Sequence, residues 1–267
     1  MLHLQSGSIV NGISVDLEDW FQVANRAGAI DRADWEQLGD RIERNCDRLL
    51  ALFDDAAIKA TFFVPGSLAK RRSELLGRIA AQGHELASHG WDHARVFMLD
   101  RAQFAEDLRR TRVAIEDAAG VSVTGFRAPS FSIDYRTPWA YRELAEQGYT
   151  YSSSVIPGWH QPWAWHDAPR FAFRPLPWSG LVELPLTTAQ FAGSHLVAGC
   201  GFFRARPYAI ARWAARQVNR SEHRPAVFFL HPWEVDPMQL RRNERRLSAA
   251  RAASGPTSRL ATADRSR

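Results

Sequence analysis

The 267-residue chain is 45% hydrophobic and 11% aromatic, which is enough apolar material for the core of one large α/β domain or two small ones. Its formal net charge is +5, but residues 237–267 hold eight arginines against Glu244 and Asp264 and so carry +6. The remaining body is therefore close to −1, which argues against a nucleic-acid partner, and two cysteines without a CxxC spacing exclude a disulfide framework.

The sequences at the two ends of the chain indicate where the protein is located in the cell and where its folded domain ends. No run approaches the roughly 18 to 20 apolar residues of a transmembrane helix, and residues 1–16 lack the basic and apolar segments of a signal peptide. We therefore expect a protein of the cytoplasm or of the cytoplasmic face of the membrane. Residues 237–267, rich in Arg, Ser and Ala, are expected to form a disordered tail, which leaves residues 1–236 as one folded domain.

Short β-branched or aromatic runs alternate with helical patterns along the body, which is typical of βα units and a parallel sheet. The predicted strands lie within residues 9–16, 59–66, 84–90, 123–131, 149–155, 181–187 and 225–233. The predicted helices are residues 36–53, residues 101–118 after an Asp100/Gln103 capping box, a helix that Thr137 caps, with Pro138 in its first turn and its end at Gly148, and about 207–219. Residues 156–178, with many aromatics and prolines, are predicted to be a long loop.

Seven strands without a break in composition favour a closed or nearly closed barrel, although an open doubly wound sheet also fits the pattern. Polar side chains cluster where the strands end: Asp16, Glu18 and Asp19 after the first, His89 and His93 after the third, Arg127 after the fourth and His231 after the last. In barrels the catalytic groups lie at this carboxyl-terminal mouth.

The first cluster is acidic, because Asp16, Glu18 and Asp19 directly follow an apolar strand. A helix cap or a solvated turn would explain one isolated acid at such a place. Three carboxylates within four residues repel one another unless something positive lies between them. The cluster therefore indicates a divalent cation.

The second cluster is the pair His89 and His93 in the stretch HELASHGWDH. On one helical turn this spacing brings two side chains to the same face, so that both imidazoles can bind one ion. Together with one carboxylate and open positions, they form a ligand set that suits zinc and, less selectively, cobalt, iron or nickel. His84, at the start of its strand, lies away from the mouth and is expected to be structural.

Arg127 and His231 end two further strands. The apolar neighbours of Arg127 predict burial, and a buried arginine needs a carboxylate partner, for which Asp16 is the natural candidate. A histidine after an apolar run is ordinarily a packed core residue. Because the strand before His231 also ends at the predicted mouth, His231 is a candidate proton donor.

These four segments, in this order, resemble the motifs of the polysaccharide deacetylase family, the NodB-homology carbohydrate esterases. The resemblance runs from SVDLEDW at residues 14–20 to FLHPWEVD at residues 229–236 and is greatest to the branch associated with exosortase-linked exopolysaccharide loci. It implies a distorted, TIM-barrel-like (β/α)7 barrel and a metal-dependent hydrolase that removes acetyl groups from an N-acetylated polysaccharide.

Carried over by position, the resemblance makes Asp16 the catalytic base, His231 the catalytic acid and Arg127 the residue that positions the base. His89 and His93 match the metal-binding histidines of the family.

The metal carboxylate is either Glu18 or Asp19, because Leu17 stands where many relatives have a second aspartate. We favour Glu18. Ser152 stands where relatives have an aspartate near the acid histidine, and this departure leaves the tuning of His231 open.

Three residues are expected to contact the substrate: Ser130, whose backbone N–H would complete an oxyanion site, and Trp159 and Trp233, whose rings would lie against sugar. Two rival functions stay open. One is an allantoinase-like amidase acting on a small ureide, and the other is a catalytically silent carbohydrate-binding relative, which Ser152 makes plausible.

Overall fold

The computed structural model of the protein describes residues 9–19, 41–158, 165, 167–191, 194–197 and 208–237. The predictions for Trp159, for the tail from residue 238 onward and for the beginning of the helix at 36–53 therefore lie outside the described residues. Among the described residues, no helix is both long and apolar enough to cross a membrane.

Seven strands form one parallel sheet, and each lies within one of the seven predicted segments. They are β1 (Gly12–Asp16), β2 (Thr61–Val64), β3 (Glu85–Ser88), β4 (Gly125–Phe126), β5 (Tyr151–Ser152), β6 (Val182–Glu183) and β9 (Val227–Leu230). The remaining two, β7 (Thr188–Phe191) and β8 (Ser194–Val197), form an antiparallel hairpin that the sequence patterns did not predict.

The order of the parallel strands decides between a barrel and a doubly wound sheet. They lie in the order β6-β5-β4-β3-β2-β1-β9, so that the last strand pairs with the first. A doubly wound sheet instead reverses its order at a switch point. The backbone N–H of Thr187, just after β6, also donates to the carbonyl of Val227 in β9 over 3.2 Å. The sheet therefore curls toward closure, and the predicted distorted (β/α)7 barrel is confirmed.

The helices of the described residues surround this sheet. They are α1 (Ile42–Asp55), α2 (Gly66–Arg71), α3 (Ser73–Ala81), α4 (Arg101–Ala119), α5 (Trp139–Glu146) and α6 (Tyr208–Ser221). The capping box predicted for α4 is present, because the Asp100 side chain accepts from the Gln103 N–H and the Gln103 side chain accepts from the Asp100 N–H. The prediction that Thr137 caps α5 is wrong: its hydroxyl accepts the Asp134 N–H within a turn, and the helix begins at Trp139.

Side-chain alternation along the strands separates the core from the site. In β1, Val15 is fully buried and belongs to the main apolar cluster, together with side chains of α1, α3, α4 and α5. Because successive side chains of a strand point to opposite faces, Ser14 and Asp16 face the other way, into the barrel. The polar side chains of the site therefore lie inside the barrel, shielded from solvent, while the apolar side chains of the strand pack against the helices.

Candidate active site

Asp16 and Glu18 leave the end of β1 on the same side. The backbone N–H of Leu17 donates to Phe63, which continues the pairing with β2, and the N–H of Glu18 donates to the carbonyl of Asp16 over 2.8 Å. Leu17 is fully buried, so the intervening residue is used for packing. The two carboxylates thus enter the barrel together.

Glu18 lies between two histidines. Its Oε1 is 2.7 Å from His89 Nε2 and 2.8 Å from His93 Nε2. The His89 Nδ1 contacts the carbonyl oxygen of Arg127 over 2.8 Å, which holds the proton on Nδ1 and leaves the Nε2 lone pair for a ligand. One carboxylate and two imidazoles converging in this way fit a divalent cation of the zinc type.

Burial and the neighbouring charges act in opposite directions on the pKa values of Glu18 and His89. Burial alone would raise the pKa of the Glu18 carboxyl, but the neighbouring His93 and His89 outweigh it and hold that pKa well below its usual range. Burial disfavours the charged form of His89, yet Glu18 and Asp16 raise the pKa of His89 above its usual value. The acidic side chains therefore favour a proton on His89 when no cation is bound.

The spacing of His89 and His93 predicted a helical turn, and this prediction is wrong. His89 directly follows β3, and residues 90–95 form a loop. Gly90 has a φ of +70°, and a Cβ there would lie 3.1 Å from Asp107 Oδ2. His93 itself has a φ of +59°, which is unusual for a residue other than glycine. Two left-handed positions turn the loop back and bring both imidazoles to Glu18.

Arg127 is fully buried and bonds to Asp16, the partner that the sequence predicted. Its Nη1 is 2.6 Å from Asp16 Oδ1 and also donates to the hydroxyl of Ser14. The guanidinium lies over the ring of Phe63, 4.0 Å from the centroid. The pair holds the Asp16 carboxylate in one orientation beside Glu18 and His231, with which it forms a second close group of ligand atoms.

His231 is held by a carboxylate that sequence reasoning missed. Its Nδ1 is 2.8 Å from Glu234 Oε1, and the same oxygen accepts the His231 backbone N–H. The Trp233 ring stacks on the imidazole with a centroid distance of 5.1 Å. Trp233 therefore packs against the candidate proton donor, and its contact with substrate stays a prediction. The i to i+3 spacing of His231 and Glu234 in HPWE is the signal from which the contact could have been predicted.

The short turn that follows His231, Pro232–Val235, is bound to the beginning of α1 through Asp236. Carboxylate oxygens of the buried Asp236 lie 2.9 Å from a guanidinium nitrogen of Arg41, 3.7 Å from one of Arg44 and 3.6 Å from one of Arg48. This cluster fixes the position of His231 relative to the barrel.

The remaining predicted residues lie around this centre. Asp19 is buried, but its Oδ2 accepts the backbone N–H of Arg41 over 3.4 Å, and of the described residues it is Glu18 that meets the two histidines. Ser130 and Phe131 have φ values of +57° and +54°, and such strain in a non-glycine pair clusters at functional sites. His84 accepts the Ala60 N–H and packs against Phe62, as expected for a structural residue.

Ser152 is fully buried, and its hydroxyl donates to the hydroxyl of Ser154 over 2.8 Å. The carboxylate that lies on His231 therefore comes from Glu234, in the same short turn as His231, rather than from the strand position at which relatives have an aspartate.

Two family models match the chain in succession. Residues 35–151 match the model described as polysaccharide deacetylase, and residues 153–261 match a domain of unknown function, DUF3473. A curated relative, peptidoglycan deacetylase of Helicobacter pylori, is 30% identical over 109 residues, which are 41% of this chain and 36% of that protein. The chain thus spans about a third or less of the curated relatives that it matches first.

Solved structures share the fold across nearly the whole chain. A Mycobacterium smegmatis protein whose structure is described as that of a polysaccharide deacetylase is 24% identical, with a TM-score of 0.58 over 93% of this chain and 88% of that chain. Puue allantoinase is 17% identical, with a TM-score of 0.61 over 90% and 83%. A CE4 family pseudoenzyme from Bacillus anthracis is 15% identical, with a TM-score of 0.50 over 92% and 63%.

Proposed function

We propose that this chain, which carries a polysaccharide deacetylase domain, is a metal-dependent hydrolase that removes N-acetyl groups from an N-acetylated polysaccharide and releases acetate. The observation that carries the proposal is the convergence of two groups on Glu18: the histidine pair on one side, and Asp16 with His231 on the other. The branch that the sequence motifs resemble favours an exopolysaccharide as the polymer.

Glu18, His89 and His93 would hold the cation, with zinc as the first choice. Bound there, a divalent cation supplies Lewis-acid chemistry, polarising an amide carbonyl and making water a better nucleophile near neutral pH.

Two residues beside the cation site, Asp16 and His231, carry out the proton transfers. Asp16 accepts the proton of the attacking water, and Arg127 holds the carboxylate in position. The Ser130 N–H is the donor assigned to the negative charge that develops on the carbonyl oxygen. His231 donates a proton to the departing nitrogen, because an amide nitrogen leaves poorly without one. Glu234 holds Nδ1, so that Nε2 is the nitrogen that exchanges the proton.

The experiment combines metal analysis with acetate release. The purified chain, loaded with Zn²⁺ or Co²⁺, is incubated with N-acetylglucosamine oligomers and, separately, with allantoin. We expect one bound cation per chain and acetate from the oligomers only. His89→Ala should lose the cation and the activity together, whereas His223→Ala, a change of an exposed histidine, should keep both.

Each rival has its own outcome in this experiment. Turnover of allantoin without acetate release would replace the proposal with the amidase. A bound cation with neither reaction would leave the silent carbohydrate-binding relative, which oligomer binding alone would then identify.

A further inference from the structure

Glu183 is a fully buried carboxyl group outside the two groups that meet at Glu18. It lies on β6 directly opposite Ser152 of β5. Its Oε1 accepts two consecutive backbone N–H groups, those of Ser154 over 2.7 Å and Val155 over 3.1 Å. Burying a carboxyl group is costly, and the mechanism described above does not use this one.

The segment that Glu183 holds is the one that holds Arg127. The carbonyl oxygen of Ser153 accepts Arg127 Nε over 3.0 Å, and its hydroxyl accepts Nη2 over 2.9 Å. The hydroxyl of Ser154 accepts the backbone N–H of Ala128, the next residue along. Three hydrogen bonds from two serines thus fix both the guanidinium and the backbone beside it.

Arg127, held in this way, orients the carboxylate of Asp16. With Nε and Nη2 bound to Ser153, its Nη1 is directed at Asp16 Oδ1. A series of hydrogen bonds therefore links Glu183, through the Ser153–Ser154 segment and Arg127, to the base of the proposed reaction.

We propose that Glu183 is a positioning residue for Asp16, acting through the Ser153–Ser154 segment and Arg127. This inference rests on the proposed function only in naming Asp16 as the base. A displacement of about 1 Å at a reacting group can lower a rate about 100-fold, and loss of Glu183 frees the two N–H groups on which the position of the segment depends.

The surroundings of Glu183 support this assignment. Burial raises the pKa of Glu183 to about 6. The groups that face it are the hydroxyl of Tyr141 from α5 and the hydroxyl of Ser152 from β5, although neither meets the geometry of a full hydrogen bond to Oε2. At neutral pH the group is therefore a carboxylate, the stronger acceptor for two N–H groups.

The kinetic test compares three variants. Glu183→Ala should lower kcat about 100-fold, with unchanged KM and metal content. Glu183→Gln keeps a carbonyl oxygen for the two N–H groups and should recover most of kcat. Leu144→Ala, in the neighbouring α5, is the control for lost stability and should keep kcat. Unchanged kcat in Glu183→Ala, or no recovery in Glu183→Gln, overturns the proposal.

A second measurement does not depend on activity. The Arg127 Nε–H is buried and bonded, so its NMR signal should exchange slowly with solvent, and Glu183→Ala should accelerate that exchange at least tenfold. Unchanged exchange overturns the proposal even if the chain releases no acetate. If Glu183→Ala does not fold, Ser153→Ala replaces it in both measurements, because it deletes one hydroxyl and no backbone bond; unchanged Arg127 exchange and kcat would again overturn the proposal.

Discussion

The His231 imidazole is bound by a carboxylate three residues further along the chain, and Trp233 covers one of its faces. A neutral imidazole has two interchangeable nitrogens. With Nδ1 bonded to Glu234, the proton exchanged in the proposed reaction lies on Nε2, and the charged form of the ring gains a counter-charge.

Glu234→Ala should therefore lower kcat by about 100-fold, the lower end of what a general acid contributes, with little change in metal content. Glu234→Gln, which keeps an acceptor without the charge, should lose less. The measurement is kcat for acetate release, with Glu146→Ala, a change of an exposed acid, as control. Wild-type kcat in Glu234→Ala would remove Glu234 from the acid site.

The sequence predicts most individual residues of the site because strand ends and side-chain alternation are visible in it. Asp16 and Glu18 share a face by alternation, and the burial of Arg127 follows from its apolar neighbours. The contact of His231 with Glu234 could have been predicted from their i to i+3 spacing. The bonds of Glu183 depend on pairing across strands, which a pattern along one segment does not contain.

At the scale of elements, the β5–β6 pair has only two residues per strand, yet it positions the segment that binds Arg127. The segment after β5 holds Arg127, and β6 holds that segment. The seven parallel strands could be predicted because each is a short apolar or β-branched run. The β7–β8 hairpin has no such pattern, and the turn of His89 and His93 depends on left-handed backbone positions that spacing alone does not indicate.

The pKa of Glu183 predicts how stability depends on pH. Because burial raises that pKa to about 6 from an ordinary 4.5, the folded state favours the protonated form. The resulting stabilisation is complete below the unfolded-state pKa and is lost as the pH rises through about 6. Relative to Glu183→Gln, the wild type should lose about 2 kcal/mol of unfolding free energy between pH 3 and pH 8.

Urea unfolding of both proteins at several pH values measures this difference. A difference that does not change with pH would mean that Glu183 titrates alike in the folded and unfolded states.

At the scale of the whole molecule, the two family-model matches meet within one sheet. The polysaccharide deacetylase match, residues 35–151, contains β2, β3 and β4, while the match of unknown function, residues 153–261, contains β6 and β9. The second match also holds Glu183, His231 and Glu234. Each match alone therefore contains only part of the sheet and part of the site.

This arrangement predicts one cooperative unfolding transition for the full chain by calorimetry, in line with the single folded domain predicted over residues 1–236. A chain ended after Ser152 should show no transition of its own, because β1 and β5 would lack their partners β9 and β6. Two separate transitions, or a stable shortened chain, would mean that the two matches fold independently.

In the proposed reaction, Asp16 acts as the base beside a cation held by Glu18, His89 and His93. The most direct test is acetate release from N-acetylglucosamine oligomers by Asp16→Asn at matched, measured cation content. Asp16→Asn should hold as much cation as the wild type and lose at least about 100-fold in kcat, the least that general-base catalysis contributes. Full turnover by Asp16→Asn with the cation bound would contradict this role of Asp16.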